Sequence, residues 1–315
     1  MNIILAKPRG FCAGVTRAIE TVEKALAKFG PPVYVRHEIV HNKFVVESLR
    51  KKGAIFVDEV DQIPLKAITI FSAHGVSDKV EENSLLRELN IIDATCPLVS
   101  KVHREAKKYE EENYEIILIG HKGHPEVEGT SGRVKKDVIL VTNEHDAHSV
   151  EVKNPDKIAY VTQTTLSVDD TKKIVEILEK RFPQMQQGLA TKDICYATQN
   201  RQDAVRSLSK MVDLLLVIGS QNSSNSNRLR DLGEESNLPS YLINDMSDIN
   251  PKWFDGVNNI GLTAGASAPE ILVQEVIGKI KEMSRSEVTV CDMDGITENT
   301  FFALPKKVRE NVRSN

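Results

Sequence analysis

Aromatic residues are scarce: Phe, Trp and Tyr make up 5% of the 315 residues, with one tryptophan. No aromatic platform for a nucleobase stands out. Neither the Gly-x-Gly-x-x-Gly dinucleotide fingerprint nor a Walker Lys-Ser/Thr loop is present, so nucleotide chemistry of those types is not signalled. An excess of positive charge is also missing. The net charge is −4 and the pI about 6.1, which gives no basic face for nucleic acid. Long apolar runs are absent; Leu214 to Ile218 is strand-sized and too short to cross a bilayer. The opening Met1-Asn2-Ile3-Ile4-Leu5-Ala6-Lys7-Pro8 lacks a charged n-region and a long apolar h-region. It reads as no signal peptide, and a cytoplasmic protein without a membrane partner is expected. Cysteine is sparse as well: Cys12, Cys96, Cys195 and Cys291 form no Cys-x-x-Cys pair and no Cys-x-x-x-Cys-x-x-Cys motif. In a reducing compartment four such thiols argue against structural disulfides.

What is present is one local sentence written three times. The apolar run Ile91-Ile92 leads to Cys96, followed by Pro97 and a helical pattern of Val99, Val102, Ala106 and Tyr109. Asn2 to Leu5 leads through Pro8-Arg9-Gly10-Phe11 to Cys12, and Val15, Ala18, Ile19, Val22 and Leu26 then recur at helical spacing. Asp193-Ile194-Cys195 leads to Ala204, Val205, Leu208 and Met211. Each reads as strand, cysteine, helix.

The cysteines cut the chain into comparable pieces, and the pieces share a grammar. After the post-cysteine helix comes a strand (Val33 to Val35; Glu115 to Ile119; Asp213 to Ile218) and a polar loop. A second strand follows (Ile68 to Phe71; Ile158 to Val161; Asn259 to Leu262), with another polar loop and a helix. This is α/β alternation with mainly parallel sheets. The third piece ends in the helix Ala268 to Ile280 and lacks a closing strand, so Asn2 to Leu5 is expected to join its sheet. The reading is three pseudo-threefold related α/β domains: 14–96, 97–194 and 195–282, the last completed by strand 1–13. Residues 283–315 form a tail in which Thr289-Val290-Cys291 suits a short strand and Lys306-Lys307-Val308-Arg309 a solvated face.

In parallel sheets ligands sit beyond the carboxyl ends of the strands. The six loops there are rich in donors: His37 to Asn42, Gly120 to Glu126, Gly219 to Asn227, Ser72 to Gly75, Thr162 to Thr165 and Thr263 to Pro269. Hydroxyls, amides, exposed N–H groups and helix N-termini suit phosphate oxygens, and His41, His74 and His124 add positive charge if protonated. A small anion such as a diphosphate fits better than a nucleotide. Glu126, between histidines in Gly-His-Pro-Glu, is the candidate proton donor. Three isolated cysteines favour an iron–sulfur cluster or zinc; one thiol per unit suits a four-iron cube with its fourth iron open, and buried inert thiols are the plain alternative.

Taken together, these stretches closely resemble the 4-hydroxy-3-methylbut-2-enyl diphosphate reductases. The resemblance rests on Pro8 to Gly14, Tyr34 to Asn42, Ser72 to Gly75, Asp93 to Leu98, Gly123 to Thr130, Thr162 to Thr171, Asp193 to Asn200, Gly219 to Arg228 and Thr263 to Val273. It implies a trefoil-like arrangement of the three domains around a central [4Fe–4S] cluster held by Cys12, Cys96 and Cys195, with Cys291 not required. It further implies that His41, His74, His124, Thr164, Ser223, Ser224, Asn225 and Ser267 line the diphosphate and alcohol pocket. Glu126 would deliver protons, relayed through Thr164 or the diphosphate. The implied reaction is reductive dehydroxylation of the allylic diphosphate to isopentenyl and dimethylallyl diphosphates, with electrons from a small protein such as flavodoxin or ferredoxin; a monomer suffices. The rival readings are a non-redox iron–sulfur hydro-lyase, a cluster-based redox sensor without turnover, and a zinc-stabilised phosphate-binding module.

Overall fold

Short β-rich runs and longer amphipathic stretches alternate through the chain and set its elements. The computed structural model describes residues 1–186, 193–284 and 287–309. The strands are β1 (Asn2–Leu5), β2 (Val33–Arg36), β3 (Ala54–Val57), β4 (Ile68–Phe71), β5 (Asn90–Asp93), β6 (Glu115–Ile119), β7 (Ile139–Val141), β8 (Ile158–Thr162), β9 (Leu214–Ile218), β10 (Ser240–Ile243), β11 (Asn259–Ala264) and β12 (Thr289–Asp292). The helices are α1 (Ala13–Phe29), α2 (Lys43–Lys51), α3 (Asp78–Leu86), α4 (Pro97–Glu111), α5 (Pro125–Ser131), α6 (Glu144–Ser149), α7 (Val168–Arg181), α8 (Tyr196–Leu208), α9 (Ser224–Glu235) and α10 (Glu270–Met283). Among the described residues no helix is long and apolar enough to cross a membrane.

The chain divides into two compact units. The first comprises Met1–Val15, His41–Val45 and Tyr196–Phe301. Its sheet has the order β10-β9-β11-β1-β12, and every pairing is parallel. β9 is buried at all five positions, as a strand covered on both faces must be. One face packs Ile3, Leu216 and Leu262 against Leu272, Val273 and Val276 of α10. The other packs Leu215 and Val217 against Val205 and Leu208 of α8 and Leu229 and Leu232 of α9. β1 pairs with β11 in the register Leu5↔Leu262, so the N-terminal strand does join the third sheet. The Thr289 segment forms β12 on the far side of β1, with Ile4↔Cys291.

The second unit comprises Thr16–Val40, Val46–Cys195 and Phe302–Asn315. It holds two parallel sheets, ordered β3-β2-β4-β5 and β7-β6-β8. Each of the three sheets therefore carries an edge strand that periodicity alone did not reveal: β3, β7 and β10. One expected strand does not appear among the described residues: Asp193 to Cys195 is irregular, and Gln186 bridges in parallel to Ala159 on β8. Residues 187–192, between that bridge and Asp193, lie outside the described residues.

Candidate active site

Each cysteine ends in the same local frame. The Cys96 amide donates to Ala73 O at 3.0 Å, the Cys195 amide to Thr164 O at 3.0 Å, and the Cys12 amide to Ala266 O at 3.2 Å. In every case the acceptor lies just beyond the neighbouring strand: β4, β8 and β11 respectively. A helix starts at the next residue: α4 after Cys96, α8 after Cys195 and α1 after Cys12. None of the three is in a disulfide and all are half-buried, whereas Cys291 is exposed on β12. Three soft donors, each anchored through its own backbone at a strand tip, are chemically suited to iron–sulfur or zinc ligation.

In the second unit the frame around Cys195 carries an acid. Glu126, in the first turn of α5, is 2% exposed. The Thr164 amide donates to Glu126 Oε1 at 2.6 Å, and the Thr164 hydroxyl lies 3.0 Å from Oε2. Burial pushes the Glu126 carboxyl up to about 7, against the two Thr164 bonds that pull it down. His124 caps α5, its Nδ1 accepting from the Glu126 amide at 3.2 Å. The His124 ring stands edge-on to His74 with centroids 5.9 Å apart. His74 follows Ala73, the acceptor of the Cys96 amide, and its Nδ1 is 3.3 Å from Ser72 Oγ. Thus Cys96, Cys195, His74, His124, Glu126 and Thr164 are linked within this unit.

The elevated carboxyl has a cost with a definite sign. Below its ordinary pKa of 4.5 Glu126 is protonated whether folded or unfolded. Between 4.5 and about 7 the unfolded chain releases the proton that the folded chain keeps, so stability falls as pH rises, and the loss is complete above about 7. Glu126→Gln keeps an acceptor for the Thr164 amide and removes that loss. Its unfolding free energy is expected to exceed wild type by up to about 3 kcal/mol at pH 8 and to match it near pH 4. Denaturant melts at the two pH values check this.

The turn between His74 and the next loop demands glycine. Gly75 has φ +77°, and an added Cβ would lie 2.5 Å from the His103 ring and 3.2 Å from Thr95 Cγ2. His103 is buried, and that burial together with Arg133 and Lys107 holds it neutral, with a pKa lowered to about 3. Gly75→Ala should cost about 2 kcal/mol or more, seen as a lower denaturant midpoint at unchanged slope.

In the first unit, Ser223 caps α9 and accepts from the Ser226 amide at 3.3 Å. Asn225, in the first turn, is 4% exposed, and among the described residues neither its Nδ2 nor its Oδ1 has a partner. Gly219 and Gly265 leave room for Ser226, whose Oγ is 2.2 and 2.1 Å from where their Cβ atoms would stand. That draws the Ser223–Asn225 turn to the Gly265 loop. Ser267, two residues on, donates to His41 O at 2.9 Å, and Asn222 Nδ2 is 3.4 Å from His41 Nδ1. Cys12, His41, Ser223, Ser224, Asn225 and Ser267 all belong to this unit.

Two supporting residues escaped the sequence reading. Arg201 on α8 is fully buried, donates to Gly10 O through Nε at 3.0 Å and Nη2 at 2.7 Å, and pairs with Glu298 at 3.1 Å. It fixes the turn that delivers Cys12. Asp193 is buried, accepts from the Thr162 amide at 3.4 Å and pairs with Lys101 at 3.1 Å. The charge of Asp193, after burial, helps push Glu105 up to about 7. An arginine at helical spacing with Ala197, Ala204, Val205 and Leu208 was the available signal for the first; the second had none, because its partners lie far away in sequence.

The family model for the LytB protein matches residues 3–281. The chain belongs to the LytB family. Among its LytB relatives, 4-hydroxy-3-methylbut-2-enyl diphosphate reductase 1 of Rhodopseudomonas palustris is 57% identical over 306 residues, covering 97% of this chain and 99% of the relative. The reductase of the same name from Pseudomonas aeruginosa PAO1 is 55% identical over 313 residues, covering 98% and 99%. The solved structure of the E-1-hydroxy-2-methyl-but-2-enyl-4-diphosphate reductase from Plasmodium falciparum superposes with a TM-score of 0.92 at 41% identity, covering 97% of this chain and 96% of that one. A second solved structure, (E)-4-hydroxy-3-methyl-but-2-enyl diphosphate reductase, the terminal enzyme of the non-mevalonate pathway, gives 0.65 at 33% identity, covering 89% and 99%. This LytB chain is accordingly an enzyme, and an oxidoreductase.

Proposed function

We propose that the enzyme reduces 4-hydroxy-3-methylbut-2-enyl diphosphate to isopentenyl and dimethylallyl diphosphates, using a [4Fe–4S] cluster held by Cys12, Cys96 and Cys195 with one iron open. The observation that carries this is the threefold recurrence of the cysteine frame, each amide bonded just beyond the neighbouring strand and no thiol in a disulfide. A division into domains 14–96, 97–194 and 195–282 with strand 1–13, around the cluster, belongs to the same proposal. When bound, the cluster supplies electrons and a Lewis-acidic iron to the substrate's allylic hydroxyl.

The remaining work falls to this chain's own residues. His41, His74, His124, Ser223, Ser224, Asn225 and Ser267 take the diphosphate and orient the alcohol. The buried, unpartnered Asn225 amide at the start of α9 supports this, because a polar ligand would satisfy both of its atoms. Glu126 holds a proton near neutral pH and stands 3.0 Å from the Thr164 hydroxyl. Thr164 is thus the relay by which that proton reaches the departing hydroxyl, which leaves as water. Two electrons and two protons enter per turnover; the second proton adds to carbon at either end of the allylic system, giving the two products. The electrons come from a small protein such as flavodoxin or ferredoxin, since the sequence carries no dinucleotide fingerprint of its own.

Turnover with a chemical reductant tests this reading. Two electrons consumed per substrate, with two five-carbon diphosphates formed, are expected. Conversion without reductant would identify a hydro-lyase, and binding without conversion a sensor or a phosphate-binding module.

A further inference from the structure

The basic residues of the C-terminal segment have no part in the chemistry above, yet they are tightly placed. Val308 is 3% exposed and pins the turn Lys306–Val308. Lys306, Lys307 and Arg309 around it stay exposed. Lys28, at the end of α1, donates to Lys307 O at 2.8 Å, and Lys307 Nζ donates to Asn90 Oδ1 at 2.8 Å. Arg309 Nε donates to Leu304 O at 2.6 Å. Arg17, farther up α1, completes the group: its Nε donates to Ala303 O at 2.9 Å and its Nη1 to Thr95 O at 2.9 Å. Arg17 and Arg309 lie near enough to repel one another. One exposed acid, Asp93, lies beside them, its Oδ1 accepting from the Thr95 amide at 2.8 Å.

Two features give this face a meaning. It concentrates cations on a protein whose net charge is −4. It also touches the peptide that joins Thr95 to Cys96, so one hydrogen bond, from Arg17 to Thr95 O, separates the cationic surface from the backbone of a proposed cluster ligand. The side chains of Lys28, Arg17 and Arg309 are tethered to backbone carbonyls and lie along the surface. That arrangement projects a field over a broad face, which suits carboxylates spread on a protein better than a small anion.

We propose that the face of Arg17, Lys28, Lys306, Lys307 and Arg309 is the docking surface for an acidic electron-transfer protein, placed to deliver electrons on the Cys96 side. The proposal rests on the reductase reading. Each docking event delivers one electron, so two reduced donors are oxidised for every hydroxyl lost as water.

Purified flavodoxin is the probe, with the anaerobically prepared holoenzyme. Carbodiimide coupling of lysine amines to carboxylates, using the oxidised proteins, should join Lys28, Lys306 or Lys307 to flavodoxin. Joints confined to other lysines overturn the docking site. In kinetics, Lys306→Glu/Lys307→Glu should raise the KM for flavodoxin about tenfold or more and flatten its rise with ionic strength, while dithionite-driven turnover stays within about twofold. The neutral pair Lys306→Gln/Lys307→Gln should shift the same KM by less. An unchanged flavodoxin KM overturns the docking site and leaves the reductase reading standing. Equal slowing with both reductants shows the segment to be structural, which also overturns it. Wild-type enzyme that turns over with neither reductant removes the reductase reading and the docking proposal together.

Discussion

Cys96→Ser is expected to strip the anaerobically reconstituted enzyme of its cluster, lowering iron from about four per chain to below one, and to abolish turnover. Cys12→Ser and Cys195→Ser should behave alike, because all three amides sit in the same hydrogen-bonded frame. Serine preserves the size of the side chain and the backbone bond, so circular dichroism and the melting profile of the apo protein should stay near wild type. What changes is the donor: a hydroxyl replaces the soft thiolate that iron–sulfur clusters require. Cys291→Ser is the control. That thiol is exposed on β12 and lies 3.9 Å from Ile3 O, and its loss should leave iron and turnover intact. A fall in iron there would point to a fourth protein ligand and remove the open iron.

Glu126→Gln separates chemistry from ligation. It should retain the cluster and substrate affinity while turnover drops by roughly 10²–10⁴, the range for losing one general acid. Wild-type turnover should fall as pH rises through about 7, where the buried carboxyl gives up its proton, and the variant should lose that limb of its profile. Near-normal turnover by the variant would take Glu126 out of the proton path. Since the same substitution is expected to stabilise the fold at pH 8, slow turnover could not be blamed on unfolding. The opposed signs reflect one cause: the site holds a carboxyl in a place that raises its affinity for protons, and the fold bears that cost.

Legibility varied with the kind of signal. β1, β4 and β6 have the bounds that apolar patterning gives, and the deficit of one strand in the third piece correctly assigned Asn2–Leu5 to the third sheet, where it pairs with β11. The edge strands β3, β7 and β10 escaped the reading, and each forms because an adjacent strand offers an unpaired edge. β12 was readable only as a short strand, and its place beside β1 came from pairing rather than pattern. Around Cys195 the analogy to the other cysteines overreached: Asp193 and Ile194 are irregular, yet Thr164 O still receives the cysteine amide. Of the candidate site, residue types in loops were legible, including Glu126 between its histidines. The depth of Glu126, its two bonds to Thr164, and the hold of Arg201 on Gly10 were not, because burial and partners more than thirty residues away are tertiary facts.

The central claim is that three cysteines and no fourth protein ligand hold an iron–sulfur cube. Its most direct test is quantification of iron and acid-labile sulfide, with zinc measured alongside, in protein purified and reconstituted without oxygen. The account predicts about four irons and four sulfides per chain. Stoichiometric zinc, or no metal after reconstitution, would contradict it.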